Sequence, residues 1–223
     1  MPAVFVTSTG TEIGKTFVTA GLIRHYRGKG LPVSAIKPIV SGFDPNDAAG
    51  SDPGLLLAAL GKPVTLEEIA RISPWRFTAG VSPDLAAKRE GEAIDFSAVV
   101  DFSRRAMAVN AMRFIEGVGG VMAPLDDRHT VLDWMTALRL PVIVVAGSYL
   151  GTISHTLTAL HMIDARKLNT CAVVVSETPG SPAPLDETVA SIARFVDIEV
   201  IALPRLAAGT ETHPAFERLA RLT

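Results

Sequence analysis

Six residues near the amino terminus, Thr11-Glu12-Ile13-Gly14-Lys15-Thr16, have the types and order needed to hold a nucleoside triphosphate. They follow the apolar run Ala3-Val4-Phe5-Val6. A buried strand that turns through Gly-Lys-Thr into an amphipathic helix gathers backbone N–H groups around phosphate oxygens. Lys15 then reaches the outer phosphates, and the Thr16 hydroxyl is placed to ligate Mg²⁺. The match to G-x-x-x-x-G-K-[ST] is incomplete, because Thr9 stands where the first glycine belongs and the nearest glycine is Gly10. Asn46, Asn110 and Asn169 are followed by Asp, Ala and Thr, so no guanine-reading Asn-Lys-x-Asp is present and an adenine nucleotide is expected.

Lys37-Pro38 ends a second apolar run, with Ser41-Gly42 close behind. A lysine at the inner end of a buried strand is costly unless it faces anions; the competing reading is a side chain that snorkels to the surface. Beside Lys15 it would put two cations on one rim, which suits phosphoryl transfer, where developing negative charge must be stabilised. Glu116-Gly117-Val118-Gly119-Gly120 follows the run Met112–Ile115. A carboxylate at that strand tip can hold or orient Mg²⁺, and the glycines let backbone approach a phosphate; an incidental Glu beside a glycine turn is the alternative. Asp52, in Gly50-Ser51-Asp52-Pro53, reads by itself as a helix N-cap, as do Asp44 and Asp47. Zinc is not expected: of the five histidines only His155 and His161 share a helix, six apart and on different faces. Gly-x-Ser-x-Gly is absent, and Cys171 opens the run Cys171-Ala172-Val173-Val174-Val175 as a small core residue.

Positioning these groups takes a sheet. The runs Val4–Thr7, Val33–Ile39, Met112–Ile115, Val142–Ala146, Ala172–Val175 and Val200–Leu203 show no alternation, as strands covered on both faces do not. Lys15 to Arg27 sets Val18, Leu22, Ile23 and Tyr26 on one side and stops at Gly28 and Gly30. Thr152 to Lys167 spaces Ile153, Leu157, Leu160 and Ile163 similarly. Strands alternating with helices predict a doubly wound, mostly parallel α/β sheet with helices on both faces. Gly42 to Ser82 breaks that rhythm, so a helical excursion is expected over about 43–110. It would hold short helices near Leu55–Leu60 and Leu66–Ile72 and others around Ala86 and Val99–Val109, while Pro214–Leu222 reads as a short surface helix. In such sheets ligands lie beyond the C-terminal strand ends. That rule gathers Thr7–Thr16, Lys37–Ser41, Glu116–Gly120, Ala146–Thr152, Ser176–Pro179 and Pro204–Leu206 into one site.

A length of 223 residues suits one α/β domain over 1–223. A hydrophobic share of 48% and mean hydropathy of +0.32 imply a well-buried core. A net charge of −2 without a long basic block argues against a nucleic-acid partner. The single cysteine fits a reducing cytosol, and the longest apolar stretch, Leu140 to Gly147, falls far short of the ~18 residues of a membrane helix. No basic-plus-apolar leader precedes the first strand, so a cytoplasmic protein with no membrane partner is expected.

Thr11-Glu12-Ile13-Gly14-Lys15-Thr16, Lys37-Pro38-(x)₂-Ser41-Gly42, Ser82-Pro83, Glu116-Gly117-Val118-Gly119-Gly120-(x)₃-Pro124-Leu125 and Gly151-Thr152-Ile153-Ser154-His155 together closely resemble the dethiobiotin synthetase family. Order and spacing agree from Val4 to about Pro204. The resemblance implies a P-loop NTPase-like fold and an Mg²⁺- and ATP-dependent ligase. Its reaction would close 7,8-diaminopelargonic acid with CO₂ to dethiobiotin, ADP and phosphate, through a carbamate and a carbamic-phosphoric anhydride. It implies Lys37, Lys15 and Thr11 as catalytic groups. ATP contacts would be Glu12, Ile13, Gly14, Lys15, Thr16, Phe17, Glu116, Gly117, Val118, Gly119, Ser176, Glu177, Pro204, Arg205 and Leu206. Ser41, Tyr149, Leu150, Gly151, Thr152 and Ser154 would hold the substrate, and Thr16, Asp52 and Glu116 the Mg²⁺. Only the resemblance turns Asp52 from a cap into a ligand. A homodimer is implied, with the substrate carboxylate near the subunit interface. Three positions depart from the family: Ser8 where Gly is common, Ser176-Glu177 where an Asn usually reads the adenine, and Ser154 where Asn often precedes His155.

The alternative is a regulatory ATPase of the MinD/ParA type. Its signature lysine would fall at position 10, which is Gly10, and no C-terminal membrane-targeting amphipathic helix is evident. A cobyrinate-type amidotransferase would need an attached glutaminase domain with a nucleophilic Cys, for which this length leaves no room.

Overall fold

The computed structural model describes residues 3–108, 110–207, 210 and 212–223. Its strands in chain order are β1 (Ala3–Ser8), β2 (Val33–Ile36), β3 (Ile39–Ser41), β4 (Trp75–Phe77), β5 (Met112–Glu116), β6 (Val142–Gly147), β7 (Thr170–Ser176) and β8 (Val200–Leu203). The helices are α1 (Lys15–Gly28), α2 (Asp52–Ala59), α3 (Leu66–Ile72), α4 (Pro83–Arg89), α5 (Phe96–Met107), α6 (Val131–Leu138), α7 (Thr152–Ala165), α8 (Leu185–Ala193) and α9 (Pro214–Ala220). Six strands form the main sheet in the order β2-β5-β1-β6-β7-β8, and every neighbouring pair is parallel. β1, β5 and β6 are buried along their whole length, which is why their sequences do not alternate.

Topology creates the site. From β1 the chain crosses toward β2, whereas from β5, hydrogen-bonded beside β1, it crosses past β1 to β6. Right-handed crossovers in opposite directions send the two connections to opposite faces of the sheet. A crevice therefore opens beyond the carboxyl ends of two adjacent strands. Phe5 lies opposite Ile115 and Val6 opposite Glu116, so Ser8 and Glu116 arrive at the same rim.

Pro38 splits the run Val33–Ile39, which the sequence suggests as one strand. A proline has no N–H for a ladder, so the chain leaves the main sheet at Lys37. It resumes as β3, paired parallel with β4 in a separate two-stranded sheet, Ile39 opposite Trp75. Lys37 N–H donates to Ile72 O at 3.1 Å, and Ser73 Oγ donates to Lys37 O at 2.5 Å, which ties the exit point to the end of α3. Residues 43–107 hold α2 to α5 as well as β4, so this segment is not purely helical. Val109, expected to end its last helix, lies outside the described residues. β4, α6 and α8 had no counterpart in the sequence reading. Along α6, Trp134 is fully buried edge-on against Phe5 at 4.9 Å and donates its indole N–H to Ser103 Oγ. α9 is more than a surface helix, because Phe216 is buried and lies where any Cβ on Gly21 of α1 would fall. No helix among the described residues is long and apolar enough to cross a membrane.

Candidate active site

The phosphate-loop segment runs from Ser8 at the end of β1 to Gly14, the left-handed N-cap of α1 (φ 102°). Glu12 is also left-handed, at φ 58°. Gly14 provides no side-chain cap, so the first N–H groups of α1 remain directed at whatever lies before the helix. A Cβ on Gly120 would come within 3.1–3.2 Å of the backbone of Thr9 and Gly10, so the loop after β5 packs on the phosphate loop at glycine distance.

Four charged side chains converge there. Lys15 Nζ donates to Gly119 O at 2.8 Å, Ser8 Oγ at 3.0 Å and Gly10 O at 3.3 Å. Ser8 thus serves as a partner of the loop lysine. Lys37 Nζ donates to Glu116 Oε1 at 2.8 Å, Asp52 Oδ2 at 3.0 Å and Gly117 O at 3.1 Å. Thr16 Oγ1 donates to the same Glu116 Oε1 at 2.6 Å. Lys37 and Glu116 are almost wholly buried, at 2% and 0% exposure, whereas the Asp52 side chain is 43% exposed. Burial and then the neighbouring Lys37 ammonium lower Lys15 to about 8. Burial would lower Lys37 too, but the carboxylates of Glu116 and Asp52 outweigh it and hold this ammonium above its ordinary range. Asp52 loses hydration, which favours its acid form, yet Lys37 beside it holds the carboxyl below the usual range.

Asp52 is not a cap. Ser51 caps α2, its Oγ accepting from Gly54 N at 3.2 Å, and Asp52 is the first helical residue, so its carboxylate is left for Lys37. Asp44 does cap, accepting from Asn46 N at 2.8 Å ahead of a single 3₁₀ turn. Lys15, Thr16, Lys37, Ser41, Asp52, Val118 and Gly119 all line one cleft of about 860 Å³, together with Gly42 and Gly80–Pro83. The donor set fits magnesium. Glu116 Oε2 is buried without a hydrogen-bond partner among the described residues, and it stands beside a hydroxyl and a second carboxylate. Mg²⁺ takes few protein oxygens because it keeps waters and substrate phosphates as ligands. No group of three or more His, Cys, Asp or Glu positioned to hold a metal occurs among the described residues.

The AAA domain family model matches residues 2–211. The ATP-dependent dethiobiotin synthetase BioD of Methylobacterium nodulans is 48% identical over 212 residues, covering 92% of this chain and 94% of that protein. The protein of the same name from Caulobacter sp. is 50% identical over 199 residues, covering 88% and 85%. The chain belongs to the dethiobiotin synthetase family. Among solved structures, the signal recognition particle receptor FtsY of Elizabethkingia anophelis superposes with a TM-score of 0.53 at 15% identity. That match covers 96% of this chain but 65% of FtsY, and it shows the P-loop NTPase-like fold alone.

Measured against what membership in the dethiobiotin synthetase family implies, the remaining residues divide. Thr11, Glu12, Ile13 and Gly14 line the cleft. The Phe17 ring packs edge-on against Phe216 at 6.0 Å and is not among the side chains lining the cleft. Ser176 Oγ abuts Gly14, 3.0 Å from where a Cβ would stand. Glu177 accepts from Arg205 N at 2.8 Å, which ties the segment Pro204–Leu206 after β8 to the end of the neighbouring β7. Tyr149, Leu150, Gly151, Thr152 and Ser154 do not join Ser41. They line a second, largely apolar hollow of about 590 Å³ at the start of α7, whose N-cap, Gly151, has no side-chain cap. Tyr149 Oη and His155 Nδ1 lie 2.9 Å apart beside it.

Proposed function

We propose that the protein closes the ureido ring of dethiobiotin from 7,8-diaminopelargonic acid, CO₂ and ATP. One amine adds to CO₂ and loses a proton, giving a carbamate. A carbamate oxygen attacks the γ-phosphorus, the bond to the bridging oxygen breaks, and ADP leaves with its electron pair. The second amine attacks the carbonyl carbon of the mixed anhydride and loses a proton; phosphate departs and the urea is closed. No protein nucleophile is required, so positioning and charge stabilisation carry the rate.

Within this reading Lys15 and Lys37 stabilise phosphoryl and carbamate charge, Thr11 assists at the phosphate loop, and Ser41 orients the diamine. Thr16, Asp52 and Glu116 would hold Mg²⁺, which when bound neutralises triphosphate charge. Ser176, Glu177 and Pro204–Leu206 receive the nucleoside, and Gly117–Gly119 with Glu12–Thr16 its phosphates. The protein works as a cytoplasmic homodimer, one α/β domain per subunit, with Tyr149–Ser154 bringing the substrate carboxylate to the interface. In support of that pairing, Leu150 and Phe195 at the second hollow are 84% and 66% exposed.

One observation carries the reading. Lys15 and Lys37 bond carbonyls two residues apart, Gly119 and Gly117, in a single cleft, so both ammonium groups can act on one triphosphate–diamine complex. The test compares phosphate release from ATP alone with release in the presence of 7,8-diaminopelargonic acid and bicarbonate. Release is expected only with both. Equal turnover without the diamine overturns the reading and favours a switch ATPase.

A further inference from the structure

An ammonium group has three donors and no acceptor. All three of Lys37 are spoken for, by Glu116 Oε1, Asp52 Oδ2 and Gly117 O at 2.8, 3.0 and 3.1 Å. Lys37 therefore has no free N–H for a carbamate or phosphate until one of these bonds opens. Two of its three partners are the carboxylates that the proposed function assigns to the metal.

We propose that Lys37 is a built-in counter-ion, which holds the metal-binding carboxylates closed until an anionic substrate draws its ammonium away, so that the metal enters with the nucleotide rather than before it. The inference rests on the assignment of Thr16, Asp52 and Glu116 under the proposed function. Charge balance supports it. Lys15 and Lys37 against Glu116 and Asp52 sum to zero, so a divalent cation entering alone leaves two uncompensated positive charges in a cleft with buried walls. When metal and triphosphate enter together, the divalent charge offsets the two carboxylates and the two ammonium groups face phosphate oxygens, so each buried charge keeps an opposite partner. Geometry supplies the hinge. Asp52, the most exposed member of the cluster, is the partner most easily surrendered, and Lys37 already lines the cleft on a flexible four-carbon stem. The exchange passes Asp52 and Glu116 from ammonium to metal while the ammonium passes to substrate oxygen, so neither charge is stranded at any point.

The test titrates Mn²⁺ by paramagnetic resonance against nucleotide-free protein. Wild type is expected to bind Mn²⁺ weakly, and Lys37→Gln, which removes the charge but keeps a hydrogen-bonding amide, about tenfold or more tightly. Lys37→Arg, which retains a positive charge, should track the wild type, and Lys37→Gln/Glu116→Gln should lose the gain. Tight Mn²⁺ binding by nucleotide-free wild type overturns the proposal without any variant. So does equal affinity in wild type and a folded Lys37→Gln, checked by circular dichroism. Diamine-dependent phosphate release by wild type is measured separately: if it persists while the Mn²⁺ affinities are equal, the counter-ion role falls and the ring closure stands.

Discussion

The Lys37–Glu116 pair makes a quantitative demand on stability. Both side chains are almost wholly buried at 2.8 Å. Removing one charge from a buried pair strands the other, at a cost of about 3–5 kcal/mol. Lys37→Met leaves Glu116 with only the Thr16 hydroxyl and should fall in that range. Glu116→Gln leaves Lys37 still facing Asp52 at 3.0 Å, so a smaller loss of about 2–3 kcal/mol is expected. The double variant strands neither, and buried pairs replaced by neutral groups are often close to neutral in stability, so it should lose only about 1–2 kcal/mol. The two single losses together therefore exceed the double loss by at least ~3 kcal/mol, a large term against a total stability of ~5–15 kcal/mol. Urea unfolding of the four proteins at neutral pH, followed by circular dichroism, measures each term. Losses that add within ~0.5 kcal/mol would refute the claim that the pair is energetically coupled.

Cys171, whose thiol is pushed up to about 11 by burial, should be inert in the native protein. At pH 8 only ~1 in 1000 such thiols is ionised against ~1 in 4 at the ordinary value, so alkylation should run about two orders of magnitude slower than in urea-unfolded protein and rise with pH toward 11. Mass spectrometry of iodoacetamide adducts reads this, and equal native and unfolded rates would contradict it. Gly120→Ala should weaken ATP binding about tenfold or more while leaving the unfolding midpoint nearly unchanged, because the new methyl meets Thr9 and Gly10 backbone; calorimetric titration decides. Phe216→Ala should cost about 3–5 kcal/mol in urea unfolding, since its ring fills the space over Gly21; a loss below ~1 kcal/mol would mean α9 is dispensable to the core.

Much of the fold was legible because buried parallel strands write themselves as unbroken β-branched runs, as Val142 to Ala146 does. The phosphate loop was equally plain, since a strand, a Gly-Lys-Thr turn and a helix start lie next to one another in the chain. Pro38 was in view, and its missing N–H was sufficient reason to divide the second strand, yet the apolar continuity of Val33–Ile39 masked it. β4 is three residues long and takes its identity from pairing with β3, which no local pattern encodes. α6 did leave a signal: Asp133 Oδ2 accepts from both the backbone N–H and the hydroxyl of Thr130 at 2.9 Å, a Thr-x-x-Asp spacing readable around Val131. Asp52 was illegible for a different reason. Its partner, Lys37, is distant in sequence, and its neighbours Ser51 and Pro53 suit a helix start whether or not the carboxylate does anything else.

Lys15 leans on Gly119 and Thr16 on Glu116, contacts that span 104 and 100 residues of chain. A growing polypeptide that has emerged only as far as α5 carries the whole Gly-Lys-Thr signature yet lacks the wall against which its lysine and threonine are oriented. Nucleotide affinity should thus arise late and abruptly, when β5 slots in beside β1. In this molecule, capture of a triphosphate doubles as a check that the centre of the sheet has been assembled.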